Sequence, residues 1–173
     1  MSSAANPQFS KNSNQGARDR EELLRTVANT VPVLIWMSGP DKMCRFCNES
    51  WLRFTGRTLE QELGQGWLSG VHQDDLGRSM EAFDAAIEAQ VEFEVEYRLR
   101  RFDGEYRWVV DRGAPVFESD GTFRGYAGAC IDITERKLAE EALIAANEQL
   151  VEANQRIEKL KEKLEHENVY LQK

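Results

Sequence analysis

Leucine or isoleucine recurs every seventh residue at Leu143, Leu150, Ile157, Leu164 and Leu171. Ala146, Ala153 and Leu160 stand three residues after the first three of these, and Glu167 breaks that second row. Alternating steps of three and four keep apolar side chains on one narrow stripe of a helix, the pattern of a coiled coil. A second register would pair the leucine row with Asn147, Asn154, Lys161 and Asn168. One buried Asn can fix register, but four polar layers in succession cost too much, so the Ala/Leu seam is preferred. No Pro or Gly follows Gly128, so nothing interrupts a helix over 134–173. A helix of this length leaves its seam in water unless paired. A parallel homodimer is the simplest solution; folding the helix back onto the rest of the chain is the alternative.

Upstream, the periodicities change in an order that defines a domain. Leu23, Leu24, Val27 and Ala28 form a helical stripe that Val31-Pro32 ends, because the residue before proline leaves the helical region. Val33 to Met37 is a strand, the turn Ser38 to Lys42 closes it, and Met43 to Cys47 is the second arm of a hairpin. Asn48 to Leu63 reads as short helix interrupted at Gly56. A longer helix spans Asp74 to Gln90, with Asp74 and Asp75 placed to cap its start and match its dipole. From Val91 the period becomes two, with Phe93, Val95, Tyr97 and Leu99 on the dry side. Asp103-Gly104 and Asp120-Gly121 are hairpin turns that deliver strands at Tyr106 to Phe117 and Phe123 to Ile133. Five strands with helices gathered between the second and third predict an α+β domain: an antiparallel sheet with helices on one face, followed by the long helix.

Composition narrows the function. A net charge of -8 on 173 residues disfavours nucleic acid, whose phosphates select basic surfaces. No apolar run approaches the roughly 18 residues that cross a bilayer, and the polar start of the chain lacks a signal-peptide core. The expected organisation is a disordered leader over 1–17, a domain over 18–133 and the coiled-coil helix over 134–173, in the cytoplasm. Cys44 and Cys47 form a CxxC without a second ligand pair for zinc, and Asn48 stands where haem attachment needs His. On a regular strand the two face opposite sides, so they are expected to be ordinary strand thiols acting as small apolar residues, not a disulfide. No nucleophile–base pair or metal cluster is evident, so the chain is not expected to be an enzyme by itself.

Four strings in this order resemble the PAS family of sensory domains. They are Asn48-Glu49-Ser50-Trp51-Leu52-Arg53-Phe54-Thr55-Gly56, the segment Gly66 to Asp75, the segment Tyr97 to Trp108, and Gly125 to Lys137; with the order of elements, the match covers about Glu21 to Lys137. The resemblance implies a five-stranded sheet curled over helices around a small cavity, which senses a ligand, cofactor or partner and passes the result to a following helix. Flavin photoreceptors of the family carry a reactive Cys on a helix. Cys44-Arg45-Phe46 imitates that string on the second strand, and the helical region near Glu62 to Gly70 has no cysteine. Haem-binding relatives use a His on the long helix, and none of Asp74 to Gln90 is His; His72 reads as a surface or capping residue. The cofactor is therefore left unknown.

Apolar pockets with few polar groups bind small molecules, which makes Trp36, Phe54, Trp67, Phe83 and Trp108, with the polar Asn48 and Tyr126, the candidate pocket residues. Asp132, Thr134, Glu135 and Arg136 join the last strand to the rod and are the candidate signal relay. The expected function is a sensor module that detects a small ligand, cofactor state or partner. It would act through a dimeric coiled coil on an output domain, such as a histidine kinase or transcriptional regulator, supplied elsewhere. The alternative is a ligand-free interaction adaptor.

Overall fold

The structure, a computed structural model, describes the backbone of residues 7–171 and the side chains of residues 19–165. It divides into two compact units at the Asp132/Ile133 boundary.

In the first unit α1 (Pro7–Thr30) precedes β1 (Leu34–Ser38), β2 (Cys44–Cys47), α2 (Glu49–Thr55), α3 (Leu59–Glu62), a 3-10 turn (Gly66–Gly70) and α4 (Gln73–Ala89). Then come β3 (Phe93–Arg100), β4 (Tyr106–Phe117) and β5 (Phe123–Asp132). The helix therefore starts inside the stretch expected as a disordered leader. Proline is tolerated in a first helical turn, and Gln8, Lys11, Gln15 and Arg18 are good helix formers, so a Ser/Asn-rich composition does not preclude it. Residues 1–6 of that leader lie outside the described residues.

The strands lie in the order β2-β1-β5-β4-β3, every neighbour antiparallel. Cross-strand pairing aligns the inward residues in rows. Val95 pairs with Asp111, Asp111 with Cys130, and Cys130 with Leu34; Phe93, Gly113, Gly128, Trp36 and Cys47 form the next row. The two glycines make room for aromatic rings. A Cβ at Gly113 would meet the Phe93 ring, and one at Gly128 would meet the Trp36 indole and lie 2.6 Å from the Arg112 carbonyl oxygen. Trp51 of α2 with Phe83 and Ala86 of α4 complete the core against this face.

Helix ends follow local chemistry. Asn48 caps α2 by accepting from the Trp51 amide at 3.0 Å, and Gly56 closes it in the left-handed conformation. At α4 the cap differs from expectation. His72, not an aspartate, caps the helix, its Nδ1 accepting from the Asp74 amide at 3.2 Å. Asp75 instead turns toward β3, where Arg98 donates to it through Nε at 2.8 Å, through its second guanidinium arm at 2.9 Å and through the backbone amide at 2.9 Å. A bidentate partner satisfies a carboxylate better than a helix end does.

The second unit is α5 (Thr134–Leu171), one helix of 38 residues and therefore about 57 Å long. Leu143, Leu150, Ile157, Leu160 and Leu164 of the expected seam are each 59–71% exposed on the single chain, and Ala146 and Ala153 are exposed with them. The Leu171 side chain lies outside the described residues.

Candidate functional site

Between the inner sheet face and the helices lies a narrow cavity of about 30 Å³ that opens to solvent. Its wall is built by Trp36 and Ser38 of β1, Cys44 and Cys47 of β2, Phe93, Val95 and Tyr97 of β3 and Asp111 of β4. Trp51 of α2, Trp67 of the 3-10 turn, and Ser79 and Phe83 of α4 face them, with Lys42 from the β1–β2 turn. The aromatic rings lock one another edge to face: Phe83 stands 5.9 Å from Trp36 and 5.5 Å from Phe93.

Three of the wall residues carry a buried polar atom that finds no partner. The Ser38 and Ser79 hydroxyls and the Trp51 indole N–H are buried without a hydrogen-bond partner. Each such group normally finds one, and leaving it unpaired costs about 1–3 kcal/mol. All three belong to residues that line this one chamber.

Behind them sits a buried carboxylate. Asp111 accepts from Trp36 Nε1 at 2.8 Å and from the Tyr97 hydroxyl at 3.2 Å, and Tyr97 also meets Cys130 Sγ at 3.4 Å. Burial outweighs these bonds and pushes the Asp111 pKa up to about 6. The same burial raises Tyr97 and Cys130, with the Asp111 charge adding to both. At the mouth Lys42, held at φ 66°, reaches Asp84 of α4 at 2.6 Å. Both partners are well exposed, so this pair contributes position more than stability.

Of the seven pocket candidates, the structure gathers Trp36, Trp67 and Phe83 at the cavity. Asn48 has another task. Its Oδ1 accepts from the Ile35 and Trp51 amides and its Nδ2 donates to the Ala28 and Val33 carbonyls, which uses its full capacity to join α1, β1 and α2. Tyr126 lies one layer back, its hydroxyl within 2.6 Å of the Ala86 carbonyl and 2.8 Å of the Val91 carbonyl. Phe54 packs on the core, and Trp108 carries the Arg98 guanidinium over its ring at 5.3 Å.

Ser38, Ser79, Trp51, Tyr97, Asp111 and the cysteines were not among those candidates. For Asp111 a signal exists in the sequence: the β3 alternation and the Asp103-Gly104 turn place it opposite Val95, and a carboxylate at an inward register is unusual. The relay candidates fall where the sequence put them, Asp132 ending β5 and Thr134, Glu135 and Arg136 opening α5. Arg107 of β4 donates to Asp132 at 2.9 Å, tying the end of β5 to its neighbour. Among the described residues no cluster of His, Cys, Asp or Glu suits a metal ion, and no helix is long and apolar enough to cross a membrane.

Comparison with known proteins follows the same outline. Residues 45–130 match the family model described as the PAS fold. An uncharacterised protein, y4lL, of Sinorhizobium fredii is 39% identical over 78% of this chain and 16% of its own length. The peroxide stress-activated histidine kinase mak1 of Schizosaccharomyces pombe is 31% identical over 73% of this chain and 8% of its own length. This chain thus spans less than a fifth of either relative. Among solved structures, a sensory box histidine kinase/response regulator from Burkholderia thailandensis superposes with a TM-score of 0.54. It is 28% identical and covers 76% of this chain and 97% of that one.

Proposed function

The globular part of this chain belongs to the PAS family, and on that premise we propose that it is a ligand-sensing module that signals through a dimeric α5 coiled coil. Its relatives include sensor kinases, which supports a signalling role. The observation that carries the ligand reading is that three residues lining one apolar cavity, Ser38, Ser79 and Trp51, each hold a buried polar atom without a partner. They favour a small molecule with acceptor atoms, entering beside Trp36, Trp67 and Phe83 as the walls open to receive it.

The relay follows from covalent continuity. β5 carries inward residues of the core and ends at Asp132, which Arg107 holds to β4. A ligand that changes the sheet alters the strand end from which α5 departs, and packed helices respond by moving between discrete arrangements. The output domain would be a kinase or transcriptional regulator in the cytoplasm, and the chain itself would contribute no catalysis.

Purified protein, denatured and analysed by mass spectrometry beside its absorption spectrum, tests the first step. A small molecule released from the wild type and absent from Ser79→Phe, which fills the chamber, supports ligand sensing. A chain that retains nothing, and whose melting temperature no compound of a metabolite and flavin library raises, favours the adaptor reading. For the relay, Asp132→Ala with Thr134→Ala should uncouple ligand from the spacing of spin labels on α5; unchanged coupling would count against it.

A further inference from the structure

On a regular strand Cys44 and Cys47 would point to opposite faces. The β1–β2 pairing prevents this. Met37 pairs with Phe46 but Ser38 pairs with Cys44, so Arg45 is the extra residue of a bulge. The bulge turns both thiols inward, and the expectation of two unrelated strand cysteines gives way to a pair whose sulfurs stand 3.6 Å apart, both reduced. A disulfide needs about 2.0 Å, so the sulfurs must approach by roughly 1.6 Å, within reach of side-chain torsions and a small strand adjustment. Both thiols line the cavity, which opens to solvent. Its apolar wall and narrow chamber admit a small neutral oxidant and keep out a bulky charged disulfide such as oxidised glutathione.

We propose that Cys44 and Cys47 form a dithiol–disulfide switch in the cavity wall, with hydrogen peroxide as the oxidant. Cys44 Sγ, as thiolate, attacks one peroxide oxygen. The O–O bond breaks, an S–O bond forms, and the departing hydroxide leaves as water, giving a sulfenic acid on Cys44. Cys47 Sγ then attacks that sulfur, the S–O bond breaks, and a second water departs. Two thiols and one peroxide thus give one disulfide and two waters, with two electrons passing from sulfur to oxygen. The order follows from the contact: the Cys47 thiol as hydrogen-bond partner lowers the Cys44 pKa, and the same bond, with burial, raises that of Cys47. Cys130, fully buried against Tyr97 and Asp111, is held as thiol and serves as an internal control.

Closure of the pair would reshape the cavity directly. Cys44 pairs with Ser38 and Cys47 with Trp36, two residues of its wall. The switch stands on its own geometry and does not require the ligand reading, since a chain that retains no small molecule would still oxidise.

The test uses the reduced full chain, folded, with graded hydrogen peroxide, followed by alkylation of free thiols and peptide mapping. The expected result is a loss of two hydrogens from the intact mass, a Cys44–Cys47 link within one chain, and recovery of both thiols by a reductant. Oxidation should run at least about tenfold faster than any modification of Cys130. Cys47→Ala should trap a sulfenic acid on Cys44 that dimedone labels, and Cys130→Ala should leave the link unchanged. Cys44 and Cys47 both fully alkylated after peroxide that consumes free cysteine would overturn the proposal. So would a link to Cys130 or between chains. The wild-type map decides even if a variant fails to fold.

Discussion

Two carboxylates in this domain carry opposite pH signatures, and each follows from what surrounds it. Asp75 is paired with Arg98, which holds its pKa below the ordinary carboxylate range. Its contribution is present above the unfolded pKa near 4 and is lost as pH falls through the lower folded value. Asp111 is the reverse case. Burial lifts its pKa from 3.8 to about 6, so between those values the folded chain holds a proton that the unfolded chain has released. Stability from this group is complete below pH 4 and is lost as pH rises to 6, by about 2–3 kcal/mol. Asp111→Asn removes the titration while keeping an acceptor for Trp36. Urea unfolding of both proteins at half-unit steps from pH 4 to 7 should show the wild type losing that amount relative to the variant, and parallel curves would refute the assignment. Ser79 gives a second residue-scale prediction. Its hydroxyl is buried without a partner, so Ser79→Ala should leave the melting temperature of the ligand-free protein unchanged or raise it by a few degrees. A loss of several degrees would mean that the hydroxyl is already satisfied by bonds within the fold.

At the scale of the element, the sheet depends on two places where a ring lies on bare backbone. An alanine methyl at Gly128 meets the Trp36 indole and the Arg112 carbonyl, neither free to retreat within a paired ladder. Gly128→Ala should cost about 3 kcal/mol in chemical denaturation, while Gly113→Ala, whose nearest neighbours are atoms of the Phe93 ring, should cost less. Equal losses would show that the backbone contact does not decide the outcome. The contrast between β3 and β2 marks what was legible in the sequence. Phe93, Val95, Tyr97 and Leu99 alternate because the strand is regular, and the Asp103-Gly104 turn fixes its partner's register, so three strands and their faces could be read locally. The face of Cys44 depends on which β1 residue skips a partner, a fact held in a distant contact and not in the string Cys-Arg-Phe-Cys. The cavity was half legible for the same reason. Bulky aromatics such as Trp36, Trp67 and Phe83 announce themselves, whereas Ser38 and Ser79 acquire meaning only from being left unpaired. Asn48 stood out as a polar residue beside apolar neighbours, and its four backbone partners lie in α1, the connection before β1, β1 itself and α2.

For the whole molecule the question is what holds 38 residues of helix in register. At 38 residues cooperative hydrogen bonding favours helix, but helices in proteins owe most of their stability to burial of an apolar face. On the single chain Leu143, Leu150, Ile157, Leu160 and Leu164 are mostly in water, and burying each would contribute about 1.5–3 kcal/mol. The proposed partner is a second copy of the same seam, the pairing a heptad pattern favours. Leu150→Asp with Ile157→Asp places four carboxylates in the middle of a paired seam, where like charges would be buried against one another. Sedimentation equilibrium should then show a dimer for the wild type and a monomer for the double variant. Far-UV circular dichroism should lose helix, while the near-UV signal of the Trp36, Trp51 and Phe83 core stays intact. If the variant remains a dimer with undiminished helix, the chains associate through another surface. If the wild type itself is a monomer at tens of micromolar, the rod acts alone and the coupling argument loses its moving part. A monomeric variant that still oxidises Cys44 and Cys47, and still retains any small molecule the wild type carries, would separate detection from transmission, assigning the first to the cavity and the second to the seam.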